Sequence, residues 1–433
     1  MAVALPVDAL VQAKGLRPTI TFREDLGSGI VYCATSRSFF KVTLEELQTL
    51  RCLSKGQEDV WLASTTSKAW TEAGWIGPEG MACPFAEKLG RTMEQPFRPL
   101  HALIIATLKC NASCDFCSAR PYMKAHSQKE FYSAEQAKLL AQQLHALGVM
   151  QCVVSGGEPT LFRYLDVLIH SLVRHAIFPT VVSNGTIWPT EQYIRNYIEG
   201  VSWMFSYHSD DPFQHDAIMN LQGAHKKVSK ILKGLSRAGL TPRVNVVISN
   251  FNRPRLEAII ESLSKLGVRD ILLSQHLRMG RSREIGLHPS VLGDQAETLA
   301  RWRSRGVNIS TGYRFRFLYE PGATLMQELF TDFSGGCPAG LFESLIFPDG
   351  AAYPCDYLWE DKFCAGNLFE GGGIQRIITS PIFSMLHRLP ADKACIDCRY
   401  LKVCKGGCPG VRYMLEGQLA YPNPECPLLE AKN

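Results

Sequence analysis

Between residues 100 and 310 the chain alternates short apolar runs with longer amphipathic stretches, the pattern of strand–helix units in a parallel sheet. The apolar runs predict strands over 102–106, 151–155, 180–183, 202–207, 243–249 and 271–275. Between and after them, 3.6-residue periodicity predicts helices over 133–147, 161–176, 191–198, 225–238, 253–266 and 295–305. Six such units make a partial (β/α)6 barrel of the TIM type, an α/β fold in which ligands gather at the carboxyl ends of the strands. Ahead of the barrel, 19–23 and 30–34 are strand-like, with helix candidates at 43–53 and 63–73 and a break at Gly77-Pro-Glu-Gly80. From residue 337 onward the ordering feature is cysteine spacing. Three segments are therefore expected: an amino-terminal α+β unit over 1–95, the barrel over 96–310 and a cysteine-rich unit over 311–433.

With 433 residues, 46% of them hydrophobic, the chain can bury two or three cores. Its formal charge of +5 is small for that length, and no long Lys/Arg run points to nucleic acid; His225-Lys-Lys227 reads as a solvated helix face. No run of about 18 apolar residues predicts a membrane span. Residues 1–15 lack a basic segment followed by a sustained apolar core, so no secretory signal is expected. The 15 cysteines are accordingly read as reduced, in a cytoplasmic protein. Cys33, Cys52, Cys83 and Cys152 are scattered and read as small buried hydrophobes.

The remaining cysteines are ordered. Cys110, Cys114 and Cys117 stand as C-x3-C-x2-C directly after the first barrel strand. Three thiolates can hold three irons of a [4Fe–4S] cube and leave the fourth open to a ligand that is not protein. A structural zinc site is the alternative, although zinc ligands usually come as paired knuckles closing a four-ligand site. Ser155-Gly-Gly-Glu-Pro159 follows the second strand; Gly156 and Gly157 permit close backbone approach, and Pro159 stiffens the exit. Taken alone, that segment could be an ordinary turn. At the far end, C-x12-G-x4-C runs from Cys337 through Gly350 to Cys355, followed by C-x2-C-x5-C-x3-C through Cys395, Cys398, Cys404 and Cys408, and finally by Cys426.

The first cysteine motif, with Phe116 before its last cysteine, resembles the signature of the radical S-adenosylmethionine (SAM) superfamily. That resemblance implies a cluster whose open iron chelates SAM and whose electron cleaves it to methionine and a 5′-deoxyadenosyl radical. Gly156, Gly157, Glu158 and Pro159 resemble the family's GGEP motif, which receives the SAM amino group. Ser183-Asn-Gly-Thr186 looks like the segment beside the SAM ribose and carboxylate, so Ser183 and Asn184 are implied contacts. Phe205-Ser-Tyr-His208 falls where relatives read S-x-D-G: Ser206 keeps the hydroxyl, but His208 replaces an acid. His208 is equally readable as a strand-end histidine with a local hydrogen bond.

The seven carboxyl-terminal cysteines resemble, position by position, the SPASM domain, an extension that carries two auxiliary iron–sulfur clusters. The resemblance implies three [4Fe–4S] clusters in all. Cys395, Cys398, Cys404 and Cys426 would bind the distal auxiliary cluster, and Cys337, Cys355 and Cys408 the nearer one. A fourth ligand for the nearer cluster is then missing; Cys364 is the closest spare thiol, and an open iron is the alternative. Asp356, in Tyr353-Pro-Cys-Asp356, matches the Pro-Cys-Asp of anaerobic sulfatase-maturing enzymes, where the aspartate is a base; here it could instead only order the cluster loop.

The functional expectation is a peptide maturase that takes hydrogen from a residue of a ribosomal precursor peptide and closes a carbon–carbon, ether or thioether crosslink. Its partners would be that peptide and an electron donor such as flavodoxin or ferredoxin, with neither nucleic acid nor membrane. Residues 1–95 loosely resemble the winged-helix-like element that binds leader peptides, or else form a cap on the barrel. Two competing expectations are a sulfatase-maturing oxidase that makes formylglycine and a non-catalytic iron–sulfur scaffold that binds peptide.

Overall fold

A computed structural model describes residues 20–25, 27–33, 38–54, 85–90, 92, 97–117, 119–125, 133–187, 201–275, 295–311, 337–389, 393–404, 406–419, 426 and 428. The helix candidates at 63–73 and 191–198, and Cys83, lie outside these residues.

Among the described residues the amino-terminal unit is a small sheet with one helix. Strands β1 (Ile20–Asp25), β2 (Ser28–Cys33) and β3 (Ser38–Val42) form an antiparallel meander, α1 (Leu44–Ser54) follows, and β4 (Phe85–Glu87) pairs parallel to β1, giving the order β3-β2-β1-β4. Thr43 caps α1: its hydroxyl receives the Glu46 amide at 3.1 Å while the Glu46 carboxylate receives the Thr43 amide at 2.8 Å, a reciprocal box that fixes the helix start.

The barrel strands follow in sequence order. They are β5 (His101–Thr107), then α2 (Arg120–Ala125) and α3 (Ala134–Leu147); β6 (Gln151–Gly156) and α4 (Leu165–Arg174); and β7 (Phe178–Ser183). Next come β8 (Ser202–Ser206) with α5 (Pro212–Met219) and α6 (Ala224–Arg237), and β9 (Arg243–Ile248) with α7 (Leu256–Lys265). The run ends with β10 (Asp270–Gln275), α8 (Ala296–Ser304) and β11 (Asn308–Thr311). Every neighbouring pair from β5 to β11 is parallel. The expected six-strand barrel core is present, extended by β11.

Alternation along β5 divides the interior. Ala102, Ile104 and Ala106 pack with Leu140, Leu144 and Leu168 of the surrounding helices, whereas Ile105 belongs to a second core shared with the cysteine-rich unit. Helix α3 shows why the sequence folds locally as it does. Ser133 and Gln136 form a capping box, Leu140, Ala141, Leu144 and Leu147 bury one face, and Gly148 stops the helix at φ +92°.

The carboxyl-terminal unit joins the same sheet. Strand β12 (Glu343–Ile346) pairs parallel to β5 on its other side, and β13 (Ala351–Tyr353) and β14 (Gly366–Asn367) continue antiparallel, closing a ten-stranded sheet. Short helices α9 (Gly373–Ile378), α10 (Pro381–His387), α11 (Lys393–Ile396), α12 (Leu401–Cys404) and α13 (Pro409–Glu416) follow, with Cys395 on α11, Cys404 on α12 and Cys408 directly before α13. Among the described residues no helix is long and apolar enough to cross a membrane.

Candidate active site and cluster ligands

At the carboxyl ends of β5 to β10 lies a cavity of about 870 Å³. Its wall contains Cys110, Cys114 and Cys117, the loop Gly156-Gly-Glu158, Ser183, Asn184, Ser206 and Asp356, so residues far apart in sequence share one space. Pro159 is not part of that wall; it opens the 3-10 turn Pro159–Leu161 behind it and is buried.

The glycines are explained by backbone approach. The Gly157 amide donates to the Thr107 carbonyl and the Glu158 amide to the Lys109 carbonyl, both at 2.8 Å, which zips the loop onto the start of the cysteine segment. A Cβ on Gly157 would lie 2.1 Å from the Lys109 oxygen, and one on Gly156, at φ +124°, 2.4 Å from the Thr107 oxygen. Both positions therefore exclude a side chain for packing reasons as well as for ligand access.

Glu158 is a tie between loops. Its buried carboxylate accepts the Thr160 hydroxyl at 2.6 Å, the Ser183 hydroxyl at 2.8 Å and the Asn184 amide at 2.8 Å. Burial raises its pKa while these donors pull it down. Asn111 completes the knot, donating to the Thr186 hydroxyl and accepting from the Asn184 amide group, each at 2.8 Å. On the other side, the Ser113 and Asp115 amides donate to the Met219 and Ile218 carbonyls, and Asn220, at φ +47°, reaches the Ser113 carbonyl at 3.1 Å and the Asp115 carboxylate at 2.8 Å. Sequence reasoning placed Thr186 only at the end of the Ser183–Thr186 segment and missed Asn111, Met219 and Asn220; of these three only the asparagines, tolerant of left-handed turns and rich in donors, carried any signal.

His208 lies on the cavity wall, only 1% exposed, with its ring 4.6 Å from that of Phe116 in an edge-on contact. Its Nδ1 accepts the Val247 amide at 3.2 Å, and its own amide donates to His215 Nδ1 at 3.1 Å. Burial and the neighbouring His215 push its pKa well down, so the ring is neutral. Asp216 caps α6 through the Gly223 and His225 amides.

The thiols test the fit to clusters. Burial pushes Cys114 up to about 12, and the thiols of Cys117 and Cys110 add to it. Cys110 and Cys117 are raised by burial too. In the distal group, burial pushes Cys404 up to about 12, with Cys426, Cys395 and Cys398 contributing. Cys337 and Cys355 are raised chiefly by burial and also by each other's neighbourhood with Cys408 and Glu343. Arg120 partly offsets this at Cys117, whereas the charged neighbours of Cys114, Cys337, Cys355 and Cys404 are thiols and carboxylates, a condition that a metal, which binds the deprotonated form, relieves. No three His, Cys, Asp or Glu among the described residues converge tightly enough for one ion; a cluster spreads its ligands over several irons. Cys364 is exposed, its thiol directed at the Gly366 carbonyl 3.5 Å away. Cys33 and Cys152 are fully buried, as small hydrophobes would be.

Comparison with known proteins agrees with this geometry. The radical SAM superfamily model matches residues 104–266, and the SPASM model, an iron–sulfur cluster-binding domain, matches 337–406. The chain thus carries a radical SAM domain and, after it, a SPASM domain. Among similar proteins are the mycofactocin maturase MftC of Mycolicibacterium smegmatis, 27% identical over 78% of this chain and 86% of that protein, and the subtilosin biosynthesis protein AlbA of Bacillus subtilis, 25% identical over 69% of this chain and 64% of that one. Among solved structures, Streptococcus suis SuiB bound to S-adenosylmethionine superposes with a TM-score of 0.72 at 15% identity, covering 95% of this chain and 99% of SuiB. SuiB has also been solved bound to its precursor peptide SuiA, with a TM-score of 0.70, 16% identity and coverage of 95% of this chain and 100% of SuiB.

Proposed function

We propose that the protein is a radical SAM peptide maturase that takes hydrogen from a residue of a ribosomal precursor peptide and installs an intramolecular carbon–carbon, ether or thioether crosslink. The observation that carries this reading is the single cavity of about 870 Å³ in which the Cys110, Cys114 and Cys117 thiols, the Gly156-Gly-Glu158 loop and Asp356 share a wall. When bound there, a cluster and SAM supply a 5′-deoxyadenosyl radical. The chain's residues do the rest. Cys110, Cys114 and Cys117 hold the cluster, and the loops that Glu158 and Asn111 tie together position SAM through Gly156, Gly157, Ser183, Asn184 and Ser206. Asp356 takes the proton that a substrate radical must lose as it is oxidised. Cys395, Cys398, Cys404 and Cys426 hold one auxiliary cluster, and Cys337, Cys355 and Cys408 the core of another, for three [4Fe–4S] clusters in all.

The names of MftC, a mycofactocin maturase, and of AlbA, a bacteriocin biosynthesis protein, and the precursor peptide seen with SuiB, support a peptide substrate. We further read the amino-terminal unit as a leader-binding element, the electron donor as a flavodoxin or ferredoxin, and the compartment as the cytoplasm. The sulfatase-maturing alternative is favoured by Asp356 but gives residues 1–95 no task; the non-catalytic scaffold leaves the assembled cavity without one.

The test is anaerobic incubation of the iron-loaded protein with SAM, a reductant and the short peptide encoded beside its gene. Maturation yields 5′-deoxyadenosine and a peptide lighter by two hydrogens, with fragmentation blocked across a ring. Conversion of a cysteine or serine in a sulfatase peptide to an aldehyde would establish the alternative, and 5′-deoxyadenosine formation by the triple Cys110→Ala, Cys114→Ala, Cys117→Ala variant would overturn the whole scheme.

A further inference from the structure

We propose that Glu343 supplies the fourth protein ligand of the auxiliary cluster held by Cys337, Cys355 and Cys408. This rests on the reading of the SPASM unit as a carrier of two clusters, and independently of any peptide substrate.

Strand geometry places Glu343 among those cysteines. In the β12–β13 hairpin Leu345 pairs with Tyr353 and Ile346 with Ala352, and the same register carried to the next pair on that face sets Glu343 opposite Cys355. Residues opposed in this way hold their Cβ atoms about 4.5–5.5 Å apart. Two-residue alternation puts Glu343 on the face of Leu345, which packs with Cys337 and Cys355, whereas Ile346 turns to the helix-covered core. Cys337 is brought to the same place by its own turn. The Glu343 amide donates to the Pro338 carbonyl at 3.2 Å, and the Gly340 amide donates back to the Glu343 carbonyl at 2.8 Å.

The chemistry of the group agrees. Among the described residues no hydrogen bond or ion pair reaches the Glu343 carboxylate, and its charged neighbours are Asp356 and the two thiols, all anionic when ionised. The side chain keeps some surface but is crowded by protein. A carboxylate so placed is costly unless a cation meets it. Iron bound by three thiolates is such a cation. The other residues at hand do not compete. His101, level with Glu343 on β5, stacks its ring on Phe342 at 5.6 Å, and Cys364 is exposed and engaged with Gly366. Cys364, the ligand suggested by spacing, is therefore replaced in this role by Glu343. An oxygen donor on one iron raises a cluster's potential relative to four thiolates, as imidazole ligands do.

The experiment uses the full chain with Cys110, Cys114 and Cys117 changed to alanine, so that only auxiliary clusters remain, about eight irons in two [4Fe–4S] units. Mössbauer spectroscopy of the iron-57 protein should resolve one iron with oxygen ligation. Glu343→Cys should move that iron into the all-thiolate envelope and lower one midpoint potential. Glu343→Gln should make it labile, giving a three-iron signal on mild oxidation, and Cys364→Ala should change neither spectrum nor potential. Spectra and potentials unchanged in both Glu343 variants would overturn the assignment, as would cluster loss on Cys364→Ala. A parent protein binding far fewer irons would instead bring down the two-cluster reading, and this ligand with it.

Discussion

Asp356 separates the making of a radical from its use. It lines the cavity with the three amino-terminal cysteines and follows Cys355, a ligand of the proposed nearer auxiliary cluster. If it is the base, Asp356→Asn should keep iron content and SAM cleavage while lowering product formation by roughly a hundredfold or more, the usual scale of lost general-base catalysis. Wild-type product yield from a fully loaded Asp356→Asn enzyme would remove the aspartate from the chemistry; loss of the nearer cluster would make it an organiser of the loop. Glu158 has the contrasting fate. The motif suggested a ligand-facing carboxylate, yet four side-chain and backbone donors from Thr160, Ser183 and Asn184 occupy it, so its first task is to hold two loops in register. No spacing rule announces that, because Ser183 and Asn184 lie 25 and 26 residues downstream, at the end of another strand.

At the scale of elements, much of the barrel was legible because apolar runs and amphipathic periods report burial directly. The run at 102–106 is β5 and the stretch at 133–147 is α3, both within a residue or two of their observed ends. The stretch at 161–176 is shorter as a helix, because Pro159–Leu161 forms a 3-10 turn and α4 begins only at Leu165. Strand β11 escaped notice because its alternating Asn308-Ile-Ser-Thr311 is short and half polar. Helix α5 did carry a readable start, Asp211 capping and Pro212 at the first position. The β12–β13 hairpin and its pairing to β5 were illegible, since periodicity says nothing of a partner more than 200 residues away. Where β6 meets the cysteine loop, the fit is tight enough to test. Gly157→Ala should force the Lys109 carbonyl aside, cost about 1–3 kcal/mol as overpacked sites do, and lower bound iron from about twelve toward about eight atoms by loosening the Cys110 segment. Gly371→Ala, whose Cβ would meet nothing within 4 Å, is the control and should leave both measurements unchanged.

Across the whole molecule, two buried basic side chains help to fasten the amino-terminal unit to the end of the barrel opposite the cavity. Arg23, 0% exposed, donates to the Arg98, Pro99 and Gly148 carbonyls at 2.8, 3.3 and 3.1 Å and sits 3.4 Å from the Asp25 carboxylate. Lys88, just after β4, meets His145 Nδ1 at 2.8 Å and the His175 carbonyl, joining the unit to α3 and to the end of α4. Removing residues 1–95 to test leader binding would therefore also strip these carbonyls of their donors, so affinity for the peptide is better measured on the intact chain. Lys88 offers a cleaner probe of the junction. Burial lowers its pKa from 10.5 to about 7, and across that interval the unfolded chain holds a proton that the folded chain has released. Stability should accordingly rise with pH through the interval, with the cost of the buried charge present in full below about 7. Lys88→Met removes the charge, so its thermal midpoint should exceed that of the wild type most near pH 7, by a margin that shrinks toward 10.5. Because His145 is lowered to about 4, chiefly by burial and then by Lys88, its titration stays below this range in the wild type, and the comparison is made above pH 7. Parallel melting curves over the whole interval would mean that Lys88 is already neutral in the unfolded chain or solvated in the folded one, and the junction would then rest on Arg23 and on the apolar contacts of Ile30, Tyr32 and Phe39 with Leu100, Met150 and Phe178.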